Sequence, residues 1–468
     1  MFSKRFLSGF LFFVVLFVPL LLSVQAFGQE PYTFVLKWGG TGSGNGQFLK
    51  DGGWFNGGRW GIAVDSQDNI YVVDVGNHRI QKFNSQGNYL LQWGTVGLGD
   101  GQFTRPKGIA VDKDGNVYVS EDSTGTAEVG RVQKFTSEGL FLTKFGVPYP
   151  VYVDPPLDLP YGMSCPGGID FDKDGYLFLV NEAPWSAPQY GVIKKFNSNC
   201  EYVDGFGIIS YDASLPNSFL YPSDIAINSK GEIYVGVFGE SDAFPFFPGQ
   251  IKKFNSSFDF MTKWYLDWVT GIAIDSEDNI LACSVRLPDM GVYKYDSGGN
   301  LIQRLAPNGF GDGEIWAPSG IAVDSEGNVY IGGGNDGNHI QKFAPPLKKY
   351  TFEGFFSPIE NTPTVNKANA GQAIPVKWRI TDKNGLPISD PASFINITSY
   401  GVNCAAFAGE PTSIVVEEFA AGSSGLQYLG NGWWQFNWKT PKSYKAQCRV
   451  MKLTLDDKSE HTASFSFK

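Results

Sequence analysis

The stretch that decides the fold is GIAVDKDGNVY, residues 108–118. An apolar β-branched run, an acidic turn with Gly and Asn, and a second apolar run predict a β-hairpin. Five further segments follow the same pattern and begin at Gly61, Gly168, Asp224, Gly271 and Gly320. In all six, the aromatic residue or Leu of the second strand stands ten residues after the first position. A constant interval indicates a turn whose geometry is fixed.

Each hairpin is followed by two more strands at regular distances. The third strand ends in a basic–aromatic pair, such as Lys82-Phe83 or Lys134-Phe135, and the fourth-strand aromatic residue or Leu follows ten residues later. The units are about 50 residues long, too short to bury both faces alone, so they must pack on one another. Four short antiparallel strands per unit are typical of a propeller blade.

The sixth unit lacks a fourth strand, because Ala344-Pro345-Pro346 follows its third. The sequence TFVLKWG at residues 33–39 fits the missing strand. The sequence therefore predicts an all-β fold in which residues 30–345 form a six-bladed β-propeller, closed by the N-terminal strand.

Two segments resemble NHL repeats: GQFTRPKGIAVDKDGNVYVS at 101–120 and DVGNHRIQKF at 74–83. The resemblance covers about residues 30–345 and implies an NHL-type six-bladed propeller. The fourth unit departs from the pattern, with Asp224 in place of Gly and Asn228 in place of Asp, and the fifth lacks the Asn-His pair.

The N-terminus has the features of a secretory signal. Lys4-Arg5 precedes an apolar run from 6 to 24, and a small-residue site ends at Ala26. We expect residues 1–26 to be removed, leaving a secreted, extracellular or cell-surface protein without stable membrane insertion. The alternative is an uncleaved membrane anchor, against which Pro19 and the small-residue site argue.

Charge excludes one class of partner. Cleavage after residue 26 removes two of the 37 basic residues and none of the 47 acidic ones, so the formal net charge changes from −10 to −12. Binding to a phosphate backbone requires clustered Lys and Arg, so nucleic acid is not expected as a partner.

The C-terminal part is a different domain. Residues 346–351 form a short Pro-containing linker, and residues 352–468 contain alternating strands, as in Ile374, Val376 and Trp378. This pattern predicts a small Ig-like β-sandwich. Cys404 and Cys448 lie in this one exported domain and are expected to form a disulfide, whereas Cys165 and Cys200 are expected at opposite ends of the third unit.

Segments 354–378 and 446–455 resemble the PxKF domain, with Pro375-Val376-Lys377-Trp378 as the naming motif and Trp where Phe is usual. The resemblance implies an exported protein of prokaryotic (bacterial or archaeal) type with an accessory or adhesive role.

The two ends of the ring are predicted to differ. The second-to-third and fourth-to-first connections vary in length and lie at the same end, whereas the other two turns are constant. Aromatic and Arg side chains on long loops are common ligand anchors, although some are expected only to pin their own loops. The candidate ligand-binding residues are Trp60, Arg105, Trp185, Arg286 and Trp316.

Evidence for catalysis is weak. The chain has three His, of which His78 and His339 occupy the same repeat position, where a structural role is favoured. Asp74, Glu121 and Asn181 end the second strands of three consecutive units and are weak candidates for a metal site, since a residue there more often braces the next turn. The acidic turns resemble the start of a calcium loop but lack its later acidic ligand. No catalytic residues are assigned and no cofactor is expected.

The predicted function is an extracellular binding or scaffold protein that presents its elaborated face to an extracellular protein, peptide or glycan. The alternative is a metal-assisted lyase or hydrolase, similar to six-bladed lactonases, that uses the same channel mouth. A purely structural envelope component is a third possibility.

Overall fold

The structure, a computed structural model, describes residues 31–49, 61–122, 130–148, 162–163, 165–182, 191–208, 215–239, 249–287, 290–333, 338–346, 349–382, 385–404, 417–420 and 425–468. The expected signal segment 1–26 lies outside these residues. The chain divides into two compact units at Pro346/Leu347, one residue inside the start of the predicted linker. Within the described part, no helix combines the length and apolarity needed to cross a bilayer.

The first unit is built from four-stranded antiparallel sheets. The first described strand is β1 (Thr33–Gly39), and sheet 1 contains β2 (Ile62–Val64), β3 (Ile70–Asp74), β4 (Arg79–Phe83) and β5 (Tyr89–Trp93). Sheet 2 contains β6 (Pro106–Val111), β7 (Val117–Glu121), β8 (Arg131–Phe135) and β9 (Phe141–Phe145), and a separate parallel pair consists of β10 (Val147–Pro148) and β11 (Gly162–Met163). Sheet 3 contains β12 (Cys165–Phe171), β13 (Leu177–Glu182), β14 (Gly191–Phe196) and β15 (Tyr202–Phe206). A 3-10 turn spans Val75–Asn77.

The remaining strands of this unit follow the same order. They are β16 (Pro222–Ile227), β17 (Ile233–Val237), β18 (Gln250–Phe254) and β19 (Phe260–Tyr265) in sheet 4; β20 (Val269–Ile274), β21 (Ile280–Ser284), β22 (Gly291–Tyr295) and β23 (Leu301–Ala306) in sheet 5; and β24 (Pro318–Val323), β25 (Val329–Gly333) and β26 (His339–Ala344), joined by β1, in sheet 6.

The N-terminal strand completes the last of these sheets. β1 pairs antiparallel with β26, with Thr33 opposite Ala344 and Gly39 opposite His339. The predicted position of residues 33–39 as a fourth strand is therefore confirmed. The first strands pack side by side in the order β2, β6, β12, β16, β20 and β24, and β24 packs on β2. The unit is thus an all-β, propeller-like ring of sheets.

Aromatic contacts join successive sheets and explain the regular spacing of the third and fourth strands. Trp93 of sheet 1 packs on Phe135 of sheet 2, with ring centroids 5.7 Å apart. Trp38 on β1 makes the same contact with Phe83 of sheet 1, at 5.8 Å. The remaining aromatic pairs of this kind are Phe145–Phe196, Phe206–Phe254 and Trp264–Tyr295. Burial of these rings gives each sheet-to-sheet interface an apolar core.

The Lys of the basic–aromatic pair forms a polar link of the same kind. Lys342 of sheet 6 lies 3.6 Å from the Asp324 carboxylate and 5.1 Å from the centre of the Tyr330 ring. Its ammonium also donates to the carbonyl oxygen of Ser85, which lies in sheet 1. Lys82 and Lys253 likewise donate to a turn carbonyl of the next sheet. This Lys therefore connects its own hairpin turn with the neighbouring sheet.

The fourth sheet shows how the module tolerates the departure noted in the sequence. Asn228 replaces the turn Asp, and Glu232 stands where four of the other five repeats have Asn. The Glu232 carboxylate accepts from Asn228 Nδ2 at 2.7 Å and from the Tyr234 hydroxyl at 3.2 Å, and it lies 2.9 Å from Lys253 Nζ. The carboxylate and the amide have exchanged positions, so Lys253 still pairs with a carboxylate.

The second unit contains two sheets. Its strands are β27 (Thr351–Phe356), β28 (Val365–Ala368), β29 (Ala373–Thr381), β30 (Phe394–Val402), β31 (Glu417–Ala420), β32 (Leu426–Gly430), β33 (Trp433–Lys439), β34 (Cys448–Leu455) and β35 (Glu460–Phe467), and short 3-10 turns span Pro391–Ser393 and Lys442–Tyr444. The sheet orders are β27-β29-β33-β32 and β28-β35-β34-β30-β31.

Side chains of both sheets meet in one core, which makes this unit a β-sandwich. Trp378, Trp434 and Trp438 of the first sheet share this core with Leu453 and Phe465 of the second. The predicted alternation in residues 374–380 is observed, because Ile374, Val376, Trp378 and Ile380 are the buried members.

Cysteine pairing agrees with expectation where the structure describes it. Cys404 and Cys448 form a disulfide, with Cα atoms 5.1 Å apart. Cys165, Cys200 and Cys283 form no disulfide among the described residues. Cys165 begins β12, whereas Cys200 lies in the turn between β14 and β15.

Candidate functional site

The two ends of the ring of sheets have different connections. We call the plain face the end that carries the first-to-second and third-to-fourth turns, such as 65–69 and 84–88. We call the elaborated face the opposite end, which carries the second-to-third and fourth-to-first connections, such as 75–78 and 94–105. This difference in connections directs the search for a site to the elaborated face.

At the plain face the acidic turns are closed by their own side chains. Asp112 Oδ1 accepts the backbone N–H of Asp114 at 3.0 Å and that of Asn116 at 2.8 Å. Asp65, Asp172, Asp275 and Asp324 form the same bonds. The acidic residues resembling the start of a calcium loop are therefore turn formers.

The first strands of the six sheets enclose a central channel of about 280 Å³. Lys107, Ser223, Thr270 and Ser319 line it where these strands begin, at the elaborated face. The Thr270 hydroxyl donates to the carbonyl oxygen of Pro318 in the next sheet, at 2.7 Å. The channel mouth is therefore polar.

Asp74, the first of the weak metal candidates, is fully buried and holds a loop. Its carboxylate accepts from Arg79 Nε at 2.7 Å, Gln81 Nε2 at 3.0 Å and the backbone N–H of Leu49 at 2.9 Å. The Arg79 guanidinium in turn donates to the carbonyl oxygens of Gly44 and Gln47. This network holds residues 44–49, which follow β1.

Glu121 has the same function in sheet 2. It is fully buried, its Oε2 accepts from Arg131 Nε at 2.8 Å, and its Oε1 accepts from the hydroxyl of Thr104 at 2.7 Å. The backbone N–H of Thr104 also donates to Oε1. A buried carboxylate that is paired with Arg and bonded to backbone is stabilised as a structural anion.

Comparison of the six sheets supports the bracing role. Position for position, Asp74 faces Arg79 and Glu121 faces Arg131 across the second and third strands. In the other four sheets the facing residues are Asn181–Val192, Val237–Gln250, Ser284–Gly291 and Gly333–His339. The acidic residue and the Arg thus occur together or not at all. Across the described ranges, no three His, Cys, Asp or Glu side chains gather in a group suited to a metal ion.

Arg105 lies just before β6, beside Lys107 of the channel mouth and Asp122. Its Nη1 is 3.7 Å from Asp122 Oδ2, and Lys107 Nζ is 2.9 Å from the same oxygen. Asp122 is buried, whereas Arg105 is half-buried. One carboxylate, that of Asp122, therefore pairs with both cations.

Arg286 belongs to a layered cluster that sequence reasoning missed. Its Nη1 lies 3.1 Å from Asp267 Oδ2, and its guanidinium is 6.0 Å from the centre of the Trp268 ring. Trp268 stacks on Phe238, with centroids 5.3 Å apart and planes 15° apart. Trp268 lies in the short connection between β19 and β20, whose length gives no sign of a binding loop.

Trp316 is half-buried and stacks on Phe310, with ring centroids 5.0 Å apart. Phe310 itself is 54% exposed. Trp316 lies two residues before β24 of sheet 6, and Arg286 lies two residues after β21 of sheet 5. The two are therefore at neighbouring sheets, whereas Arg105 precedes sheet 2. Trp60 and Trp185 lie outside the described residues.

His78, one of the two histidines at equivalent repeat positions, contacts a backbone carbonyl group. His78 adopts a left-handed conformation with φ 55°, and its Nδ1 lies 2.7 Å from the carbonyl oxygen of Thr104. It joins its own sheet to the connection that leads to the next one. His339 opens β26 opposite Gly39.

A Ser–His contact in the sandwich unit also escaped sequence reasoning. Ser459 Oγ lies 3.0 Å from His461 Nε2, and the imidazole stacks on Phe352 with centroids 3.6 Å apart. Burial lowers the pKa of His461. The i, i+2 spacing on one hairpin makes this a local contact rather than a catalytic arrangement with separately positioned groups.

Two channel carboxyls, Asp170 and Asp224, were missed as a pair. Both line the channel, Asp170 on β12 and Asp224 on β16. Burial in the ring raises the pKa of Asp170 to about 7, and the nearby charge of Asp224 adds to the increase. The sequence carried a signal, because Asp170 replaces an Ala and Asp224 replaces a Gly of the repeat.

Comparison with known proteins places these features in context. Residues 60–83 match the family model of the NHL repeat. Protein brain tumor of Drosophila melanogaster is 28% identical over 153 residues, which are 32% of this chain and 12% of that protein. Peptidyl-glycine alpha-amidating monooxygenase A of Xenopus laevis is 30% identical over 186 residues, which are 37% of this chain and 17% of that protein. The chain thus spans less than a fifth of the length of these curated relatives.

Solved structures with similar architecture include two enzymes. A gluconolactonase from Xanthomonas campestris superposes with a TM-score of 0.42 at 13% identity, covering 68% of this chain and 95% of that one. Virginiamycin B lyase from Staphylococcus aureus superposes with a TM-score of 0.40 at 15% identity, covering 62% and 95%. Sequence and structure together establish that the chain contains an NHL repeat within an all-β, propeller-like array of sheets.

Proposed function

We propose that this chain is an exported binding or scaffold protein. In this proposal residues 1–26 are a cleaved signal, residues 30–345 are a complete six-bladed NHL-type propeller, and residues 352–468 are a PxKF-like, Ig-like sandwich. The elaborated face recognises an extracellular protein, peptide or glycan.

The observation that carries the proposal is the distribution of exposed apolar side chains. Four connections between sheets at the elaborated face carry, among their described residues, large hydrophobic side chains that are at least one-third exposed: Leu49 before sheet 1, Val96 and Leu98 before sheet 2, Ile208 and Leu215 before sheet 4, and Phe310 before sheet 6. The described plain-face turns carry one such residue, Leu140 at the end of the turn 136–140. Exposed apolar groups that recur on one face favour a recognition surface.

Aromatic and Arg clusters on the same face supply anchors. Arg286 lies over Trp268, and Trp316 stacks on Phe310. Contacts that already hold these side chains reduce the conformational entropy lost when a ligand binds. Such residues commonly contribute most of the binding energy of an interface.

Two features support an extracellular location. The N-terminal 26 residues have the pattern of a secretory signal. The Cys404–Cys448 disulfide is of a kind that persists in oxidising compartments.

The alternative, a metal-assisted lyase or hydrolase at the channel mouth, needs free cation ligands. Its candidate carboxylates, Asp74 and Glu121, are engaged by Arg79 and Arg131. Recognition therefore ranks above catalysis in this proposal.

The test uses the chain without residues 1–26 on peptide and glycan arrays, followed by affinity measurement with each ligand found. Arg286→Ala and Trp316→Ala should each weaken binding by about 1–3 kcal/mol without changing the fold. The matched control is Gln86→Ala, which alters an exposed side chain of the plain face. Equal effects of all three substitutions, or no effect of any, would reject the elaborated face as the recognition surface.

A further inference from the structure

Asp170 occupies a position that is Ala in every other repeat. The equivalent residues are Ala63, Ala110, Ala226, Ala273 and Ala322. Asp170 Oδ2 accepts the backbone N–H of Ile227 at 2.8 Å, and Ile227 belongs to β16 of the next sheet. This side chain therefore joins the first strands of sheets 3 and 4 inside the channel.

Asp224 repeats the arrangement one sheet further on. It occupies a position that is Gly in the other five repeats. Its Oδ2 accepts the backbone N–H of Ile272 at 2.9 Å, and Ile272 belongs to β20 of sheet 5. Oδ1 accepts the N–H of Ile225 at 3.0 Å.

Asp224 lies against Gly168, at a repeat position where Gly61 and Gly108 also closely approach the backbone of the next sheet. A Cβ on Gly168 would lie 1.9 Å from Asp224 Oδ1 and 2.7 Å from its Cα, closer than real Cβ atoms approach other atoms. Asp170 and Asp224 therefore belong to one arrangement that spans sheets 3, 4 and 5.

The charges around Asp170 are mainly negative. Burial is the main cause that raises the pKa of Asp170, and the backbone N–H groups of Ile227 and Phe171 lower it. The charges of Asp224 on β16 and of Asp172, which follows the end of β12, raise it further. Asp172 is itself 3.4 Å from Lys195 Nζ. Among the described residues that line the channel, Lys107 is the one cation, and it is 2.9 Å from Asp122.

We propose that Asp170 and Asp224 form a pH-sensitive connection in the channel, which holds the first strands of sheets 3, 4 and 5 together while Asp170 is protonated and loosens when Asp170 ionises. A neutral Asp170 still accepts the Ile227 N–H through its carbonyl oxygen. Ionised Asp170 shares the channel with the Asp224 carboxylate, so the two like charges favour separation or entry of water.

The direction of the pH effect on stability follows from the pKa values. Asp170 titrates near its ordinary value in the unfolded chain and at about 7 in the folded one. Between these values the folded state binds one proton more, so its stability falls as pH rises, and the loss is complete once pH exceeds about 7. The proposed interaction of Asp170 and Asp224 lies within the ring and does not depend on the ligand proposed above.

The first experiment measures unfolding of the full chain without residues 1–26 between pH 4.5 and 8.5, for wild type and Asp170→Asn. Asn has the shape of the carboxyl group and no charge. Relative to this variant, the unfolding equilibrium constant of wild type should rise about tenfold per pH unit up to about pH 7 and then stay constant. Parallel pH profiles of the two proteins would overturn the proposal.

Asp224→Asn gives an independent test that retains Asp170. Removing the neighbouring negative charge should move the end of the wild-type stability loss to lower pH. The matched control is Asp174→Asn, whose carboxylate lies in an exposed plain-face turn two residues after Asp172. A profile for Asp224→Asn that coincides with wild type would contradict the coupling.

Hydrogen exchange locates the change. At pH 8 the amides of residues 222–227 and 269–274 should exchange faster in wild type than in Asp170→Asn, whereas at pH 5.5 the two proteins should match. The comparison at each pH removes the intrinsic pH dependence of exchange. A difference spread evenly over all six sheets, or none at pH 8, would reject a local connection.

Discussion

Ser325 of sheet 6 donates two hydrogen bonds to the carboxylate of Asp68 in sheet 1, from its backbone N–H at 2.9 Å and from its hydroxyl at 2.8 Å. These residues are 257 positions apart in the chain. The same two bonds run from Ser229 of sheet 4 to Asp278 of sheet 5. The junction between the last and the first sheet is therefore built like an internal one.

The contribution of β1 to this closed arrangement can be tested by truncation. Removing residues 27–40 deletes β1, exposes the edge of β26 and removes the Trp38–Phe83 contact. We expect a markedly lower melting temperature for the propeller unit and association through the exposed edge. Removing residues 27–30 alone is the control. A β1-deleted protein that remains monomeric and melts at the parent temperature would contradict this role.

The exchanged acid and amide of sheet 4 predict a compensated pair. Glu232→Asn alone removes the carboxylate from Lys253 and should cost about 1–3 kcal/mol of unfolding free energy. Adding Asn228→Asp supplies a carboxylate at the position that pairs with Lys in other sheets, as Asp275 does with Lys294 at 2.8 Å. The double variant should recover part of the loss, with a coupling energy of about 0.5–3 kcal/mol. Strictly additive effects in denaturant titration would show that the positions are not equivalent.

Glu121 separates a structural from a metal-binding role. Glu121→Ala leaves Arg131 buried without its carboxylate and should cost about 3–5 kcal/mol. Glu121→Gln combined with Arg131→Met should cost less, since it removes both charges. The measurements are denaturant unfolding, elemental analysis of wild type and Glu121→Ala, and a lactone and ester hydrolysis screen. A stoichiometric metal and a turnover that both disappear with Glu121 would instead favour the metal-assisted lyase or hydrolase.

The disulfide predicts a stability difference confined to one unit. Cys404 and Cys448 close a segment with a sequence separation of 44. Its loss in Cys404→Ala should destabilise the sandwich by about 2–4 kcal/mol, because the unfolded segment gains freedom. Cys200→Ala is the control. Calorimetry should show the sandwich transition at lower temperature and the propeller transition unchanged, and a shift of the propeller transition alone would refute the assignment.

Regular features of the repeat could be predicted because equivalent residues make equivalent contacts between successive sheets. The ten-residue interval from Phe83 to Trp93 is required by an interface in which Trp93 of one sheet must meet Phe135 of the next. The position of residues 33–39 followed from the missing fourth strand. The alternation around Trp378 likewise predicted a half-buried strand.

Features that depend on one sheet's neighbour were harder to predict. Asp170 stands out only as an exception to Ala, and its function requires knowing that Ile227 lies beside it on β16 of the next sheet. The stack of Arg286, Trp268 and Phe238 joins three connections of different length, which sequence spacing does not relate. Candidate residues at Arg105 and Trp316 could be chosen for their loop position, but their partners Asp122 and Phe310 could not.

The pairing of β1 with β26 has a mechanical consequence. Thr33 lies opposite Ala344, so the chain enters and leaves the ring side by side at one end of the same strand pair. Tension between these two points would load the hydrogen bonds of the pair one after another instead of all at once. A ring that resists heat through many simultaneous contacts would then open under a modest pull, beginning at Thr33 and Ala344.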